Sequence, residues 1–255
     1  MMDAEVIEQF VRDGFVRIEQ AVPADLVDEC VRLLWAEIDA EPGDPATWKQ
    51  PVHWIGHMPQ APFARAATMP VLLDALDALV GPGRWEPRRD GIGAFPLRFP
   101  HVEEPDDAGW HIEGAYTPPG ESSYWTNVHS SYRAMLTLFL FTDVDESDAP
   151  TRIRVGSHMD VPPVLRRYGT AGASGEVLSP LVDTASAHRP VALATGRAGD
   201  VFVCHPFLVH AAQPHHGTRP RFLAQPCISP SEEHREAPYA DNHGPVARTI
   251  RQALA

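Results

Sequence analysis

Apolar residues recur at helical spacing in the first third of the chain and in short, nearly continuous runs afterwards. Val6, Ile7, Phe10 and Val11 form one stripe that stops at Asp13-Gly14, which predicts a helix followed by a short strand over Phe15–Ile18. Leu26, Val27, Cys30, Val31, Leu34 and Ile38 repeat the helical spacing behind Pro23, a residue suited to a first turn. A third helix is expected from Met69 to Val80, with Pro70 near its start and Gly81-Pro82-Gly83 ending it. Residues 41–68, rich in Pro, Trp and His, are expected as an ordered loop.

Past residue 84 the pattern changes. Apolar runs at 91–99, 110–116, 133–142, 152–155, 191–194, 201–204, 207–211 and 221–225 are separated by Gly, Pro and Asp. Many short strands without long helices between them predict a β-sandwich or jelly roll. The run from Arg133 to Phe141 is almost entirely apolar and should be a central strand, whereas 117–130 and 160–188 suit inserted loops or short helices. The expected fold is therefore mainly β with flanking α-helices. One domain is expected over 1–255, with a mostly helical part at 1–83, a sandwich core at 84–230 and a C-terminal tail or helix at 231–255.

Composition narrows the function. The formal charge of −13 excludes nucleic acid as an obvious partner, since phosphate binding needs a basic surface, and disfavours docking on anionic membranes. Three cysteines (Cys30, Cys204, Cys227) lack metal-site or redox spacing and read as small buried hydrophobes. Cys204 beside His205 does not make a nucleophile pair, because neighbours on a strand face opposite ways. The first residues are acidic without an apolar signal region, and no apolar run is long enough to span a bilayer, so a cytoplasmic protein is expected.

The candidate chemistry lies in "GWHIEGAY", residues 109–116. On a strand, His111 and Glu113 project from one face. Such a pair is half of a metal site or a solvated polar edge, and the rest of the chain decides which. His210 lies on the run after the turn at Gly199-Asp200, and Arg221 follows eleven residues later. Two histidines and one carboxylate leave three positions open on an octahedral ion, the arrangement of non-haem Fe(II) oxygenases. A nearby arginine offers a planar fork for a second carboxylate. Iron, 2-oxoglutarate and dioxygen are the cofactors such a set requires. Arg219 is the alternative to Arg221, His158 suits a structural loop, and His205, His215 and His216 are expected beside the site. Trp54, Trp110, Tyr116, Tyr124 and Trp125 either line a substrate pocket or pack the insertions. Arg133, Arg152 and Arg154 are expected on solvated faces.

The chain resembles the phytanoyl-CoA dioxygenase family of Fe(II)/2-oxoglutarate-dependent oxygenases. The likeness runs through "DGFVRIEQAVPADLVDEC", "RFP" before "WHIE", "FLFTDVDESDAPTRIRVGSH" and "GDVFVCHPFLVHAA". It implies a double-stranded β-helix (jelly roll) with N-terminal helices, His111 and His210 as iron ligands, and Arg221 on the distal carboxylate of 2-oxoglutarate. Arg98 falls near a position where relatives often carry a basic residue facing the active site. Two residues depart from the family pattern: Glu113 stands where Asp is usual, and Ala212 where Ser is frequent. Glu113 also argues against halogenase relatives, which replace the carboxylate with a small residue. The implied reaction is oxidation of a small organic molecule coupled to decarboxylation of 2-oxoglutarate. The rival readings are a redox-neutral metal enzyme on the same scaffold and a binding protein with a structural metal. The choice of primary substrate and the oligomeric state are open.

Overall fold

The computed structural model describes residues 2–255. Helix α1 (Ala4–Asp13) is capped by the Asp3 side chain, which accepts the Glu5 N–H at 2.9 Å, and it ends at Gly14 with φ 83°. Gly14 is needed twice over: the left-handed φ disfavours other residues, and a Cβ there would stand 2.4 Å from His158 Nδ1. Strand β1 (Phe15–Ile18) and helix α2 (Ala24–Ala36) follow.

Residues 41–68 are more than a loop. They contain strand β2 (Val52–Ile55) and helix α3 (Ala61–Ala67) before α4 (Pro70–Leu79). β2 takes its identity from pairing with β3 (Phe95–Arg98), a long-range contact that local pattern does not reveal. Beyond these lie β4 (Trp125–Thr126), β5 (Met135–Leu140), β6 (Arg152–Arg154), α5 (Val161–Arg166), β7 (Ala173–Ser174) and α6 (Gly175–Ser186). The chain continues through β8 (Val191–Leu193), β9 (Val201–Cys204), β10 (His210–Ala211), β11 (Leu223–Ala224) and β12 (Cys227–Ile228), and ends in α7 (Pro245–Leu254).

The architecture is mixed α/β and not mainly β, because most strands are only two to four residues long and the helices hold more of the chain. The larger sheet runs β1-β9-β5-β11, with β12 also on β5, and the smaller runs β10-β6-β8; all neighbours are antiparallel. β5 is buried on both faces, as its unbroken apolar run predicts. Met135 and Phe139 turn toward the core shared with the helices, including Phe10, Leu26 and Val203. Leu136, Leu138 and Leu140 turn the other way, onto a second core with Ile153 of β6, Phe202 of β9 and Leu208. Each such side chain contributes roughly 1.5–3 kcal/mol by leaving water. This second core joins the two sheets and so positions β10, which pairs with β6 and carries His210.

Residues 110–116 do not form a regular strand. His111 meets His210 and Tyr116 meets Trp125 in isolated antiparallel bridges. Among the described residues, no helix is long and apolar enough to cross a membrane.

Candidate metal centre

Four residues singled out in the sequence meet in two backbone bridges. His111 N–H donates to the His210 carbonyl and His210 N–H to the His111 carbonyl, both at 3.0 Å. Arg98 and Arg221 exchange the same pair of bonds, at 3.0 and 2.7 Å. A wide-separation pairing thus sets each histidine opposite the other and each arginine opposite the other.

The histidine rings are oriented by their own backbone. His111 Nδ1 lies 2.8 Å from the Gly109 carbonyl and His210 Nδ1 lies 3.0 Å from the Leu208 carbonyl. A carbonyl only accepts, so Nδ1 carries the hydrogen and Nε2 presents a lone pair. Both Nε2 atoms face Glu113 Oε1, at 4.0 Å from His111 and 3.4 Å from His210, and the three ligand atoms lie within 4.8 Å of one another. Three electron-pair donors pointed at one spot repel unless a cation stands between them. Atoms bound to one ion at about 2.1 Å sit roughly 3 Å apart, so the residues fit a metal with a small inward adjustment. Glu113 reaches this point despite its extra methylene.

Electrostatics favours the ligating forms. Burial pushes the His111 imidazole below its ordinary value, with His210 adding to the effect. Burial alone would raise Glu113, yet positive charge around it, from His210 and His111 when protonated and from Arg133, outweighs burial and holds the carboxyl down to about 2; with both Nε2 atoms unprotonated, a cation between the three groups would take over that pull. Gly114 lets the Tyr124 segment pack against this loop, since a Cβ there would meet Tyr124 Cβ at 2.2 Å.

Two cavities flank the triad. The smaller, about 230 Å³, is lined by His111, His210, Arg98, Arg221, Asp107 and Thr151. The larger, about 540 Å³, lies on the Glu113 side and is lined by Arg88 and Arg133 among others. Trp54 and Gln225 border both. Arg221 and Arg98 are each only 2% exposed. Arg221 donates to the carbonyls of Ala149 at 2.6 Å and Pro96 at 2.9 Å, and its Nε has no partner. Ala149 holds its carbonyl there with φ 53°, a conformation uncommon outside glycine. Arg98 pairs with Asp107, whose second carboxylate oxygen is buried without a partner. Burial and the neighbouring Arg98 push Arg221 down to about 9. Two buried guanidiniums sharing one carboxylate leave an excess positive charge, which suits a further anion.

The other histidines and arginines divide differently from expectation. Arg219 is 59% exposed and pairs with Asp145 and Asp148 at 3.6 and 3.2 Å, facing away from the cavity that Arg221 lines. His215 is buried near Arg221 and Arg98, whereas His205 packs against Phe10, His158 and Thr249, away from the triad. Arg133, Arg152 and Arg154 are not on solvated faces. Arg154 holds Asp183 and Ser186 of α6, and Arg152 holds the carbonyls of Ala108 and Ala212. Both stack on Trp110, at 4.3 and 4.8 Å from the ring centre, which fixes the residue preceding His111. Asp107 and Gln225 line the site with no warning in the sequence.

The sequence matches the phytanoyl-CoA dioxygenase (PhyH) family over residues 10–223. The chain belongs to that family. Solved structures of the same fold include HygX from Streptomyces hygroscopicus with nickel and 2-oxoglutarate bound. It is 19% identical with a TM-score of 0.59, the match covering 91% of this chain and 88% of HygX. The epimerase SnoN, in complex with Fe3+, alpha ketoglutarate and nogalamycin RO, is 18% identical, TM-score 0.58, over 88% of this chain and 82% of SnoN. The carbocyclase SnoK from nogalamycin biosynthesis is 17% identical, TM-score 0.51, over 89% and 84%. None of the curated proteins matches the chain by sequence.

Proposed function

We propose that this PhyH family member is an Fe(II)- and 2-oxoglutarate-dependent oxygenase that hydroxylates a small organic molecule. One observation carries the reading: three ligand atoms converge within 4.8 Å beside a cavity walled by two buried arginines. His111, Glu113 and His210 would hold the iron. Arg221, with Arg98 beside it, would hold the far carboxylate of 2-oxoglutarate through charge-assisted hydrogen bonds. The metal with 2-oxoglutarate and dioxygen supplies the oxidising power for attack on a C–H bond. The protein orients both histidines through their Nδ1–H bonds to backbone, keeps Glu113 ionised, and would enclose the keto acid in a cavity walled by the two buried arginines. The second core between the sheets and the helices packed outside the larger sheet support a jelly-roll scaffold acting as one domain over 1–255.

The nickel, iron and 2-oxoglutarate in the HygX and SnoN structures support the same cofactor set. SnoN and SnoK, an epimerase and a carbocyclase, favour a second outcome at this site, in which the product is an epimer or a new ring. Incubation with Fe(II), 2-oxoglutarate and air should release succinate, and His210→Ala should not. No succinate from the wild type would favour a redox-neutral metal enzyme.

A further inference from the structure

The protein carries a charge of −13, yet the larger cavity beside Glu113 contains two arginines and a histidine, with Glu113 the single carboxylate in its lining. Arg133 is 7% exposed. Its Nη2 donates to the Gly114 carbonyl, its Nε is buried without a partner, and among the described residues no carboxylate pairs with it. Arg88 is held by the Cys227 carbonyl at 2.9 Å and the Gly91 carbonyl at 3.4 Å, again without a carboxylate. Backbone carbonyls thus fix both guanidiniums, and neither has a carboxylate in hydrogen-bond contact. An unpaired buried charge is costly, and proteins retain one where an opposite charge arrives to complete it. Glu113 feels the Arg133 charge but does not pair with it, since its carboxylate is turned to both histidine Nε2 atoms and would be shared with a metal there.

We infer that the larger cavity binds the carboxylate of a monoanionic primary substrate through Arg133, assisted by Arg88, with the substrate's body against Trp54 and Tyr124. This rests on the oxygenase reading for what happens next, but the anion site stands on its own residues. Trp54 and Tyr124 are 62% and 67% exposed, large aromatic faces on the lining of one cavity. They offer stacking or apolar contact to a ring or hydrocarbon body. The cavity, about 540 Å³, has the size of a small-molecule site. A single negative charge suits it better than a phosphate dianion, because ionised Glu113 lies on the same wall and repels the second charge. A carboxylate on Arg133 would seat the substrate beside the Glu113-Gly114 loop, with its body reaching past the metal ligands. A polycationic substrate is disfavoured by the same groups.

The test uses matched pairs of ring-bearing carboxylic acids and their primary amides, such as indole-3-acetate and indole-3-acetamide. Binding is read by ligand-observed NMR on Zn(II)-loaded protein with and without saturating 2-oxoglutarate, which occupies the smaller cavity. Acids should bind at least about tenfold more tightly than their amides, and Arg133→Gln should erase that preference. Arg133→Lys should restore part of it, and Arg88→Gln should reduce it less. The affinity of 2-oxoglutarate is measured on the same samples and should survive Arg133→Gln. Failure of 2-oxoglutarate to bind the wild type would sink the cofactor reading while leaving the acid preference to be judged alone. Equal binding of acids and amides, no binding by any acid, or an undiminished preference in Arg133→Gln would overturn the inference. Should Arg133→Gln fail to fold, Arg88→Gln and Arg133→Lys decide it: both must weaken the acids.

Discussion

Two histidine pairs in this protein have nearly the same ring separation and opposite fates. His111 and His210 lie 4.6 Å apart, and His158 and His205 lie 4.8 Å apart. The second pair is fully enclosed: His158 Nε2 bonds the Val11 carbonyl at 3.1 Å, and His205 Nε2 meets the Thr249 hydroxyl at 3.2 Å. Among the described residues no carboxylate is bonded to either ring, although Asp13 and Asp160 act on His158 from a distance, and Gly14 packs against His158 Nδ1. The first pair turns its Nδ1 atoms to carbonyls, its Nε2 atoms to Glu113, and borders open space. Proximity of two imidazoles is therefore not what marks a candidate metal centre. The third donor and the free volume are.

The strongest way to break this comparison is to remove one member from each pair. His111→Ala or His210→Ala should lower Fe(II) affinity by at least about 100-fold, beyond what loss of a mere orienting residue costs, with the melting temperature of the metal-free protein little changed. His158→Ala should do the reverse: metal binding persists while stability drops by about 2–4 kcal/mol from the lost packing and hydrogen bond. Equilibrium dialysis and denaturant titration separate the two outcomes.

Glu113, the proposed third ligand, gives the next largest effect. Glu113→Ala should weaken Fe(II) binding far more than Glu113→Asp, which shortens the arm but keeps the charge. Equal affinities in the two variants, measured by metal titration, would remove Glu113 from the site.

A pH scan sharpens the contrast from the other pair. Burial holds His158 down to about 4 from its ordinary 6.5, and it holds His205 well below the same value. Between those pH values the unfolded chain takes up protons that the folded chain excludes, so protonation favours unfolding. Stability is full above about pH 6.5 and falls as the pH drops toward 4, by roughly 3 kcal/mol for His158. Urea titrations at pH 7 and pH 4.5 should show the loss, and His158→Gln should remove the His158 share of it while the buried His205 and His215 keep the rest.

Helical stripes and the continuous run of β5 were legible because one element satisfies its own pattern. The two-residue strands were not, since β4, β7, β10, β11 and β12 exist only through partners far along the chain. His111 and Glu113 do face one point, but not through strand alternation: the loop between them is irregular and is fixed by the bridge to His210. Arg133 was misread because a charge at the head of an apolar run in an acidic protein resembles a solvated end. Its burial depends on the Gly114 carbonyl, which comes from another loop. The place of Arg221 on the cavity wall beside the histidines was legible through its spacing from His210, whereas its partners at Ala149 and Pro96 were not, because backbone carbonyls leave no trace in side-chain chemistry.

If the triad and the buried arginines form one site for Fe(II) and 2-oxoglutarate, anaerobic absorption spectroscopy should reveal it without any primary substrate. Wild type with Fe(II) and 2-oxoglutarate together should show a visible charge-transfer band that is missing when either is omitted. Arg221→Ala should require about 10- to 100-fold more keto acid to reach the same band, the equivalent of losing a charge-assisted pair worth roughly 1.5–3 kcal/mol. Arg221→Lys should recover only part of this, since a point charge replaces a planar fork. No band in the wild type at any keto-acid concentration would contradict the account.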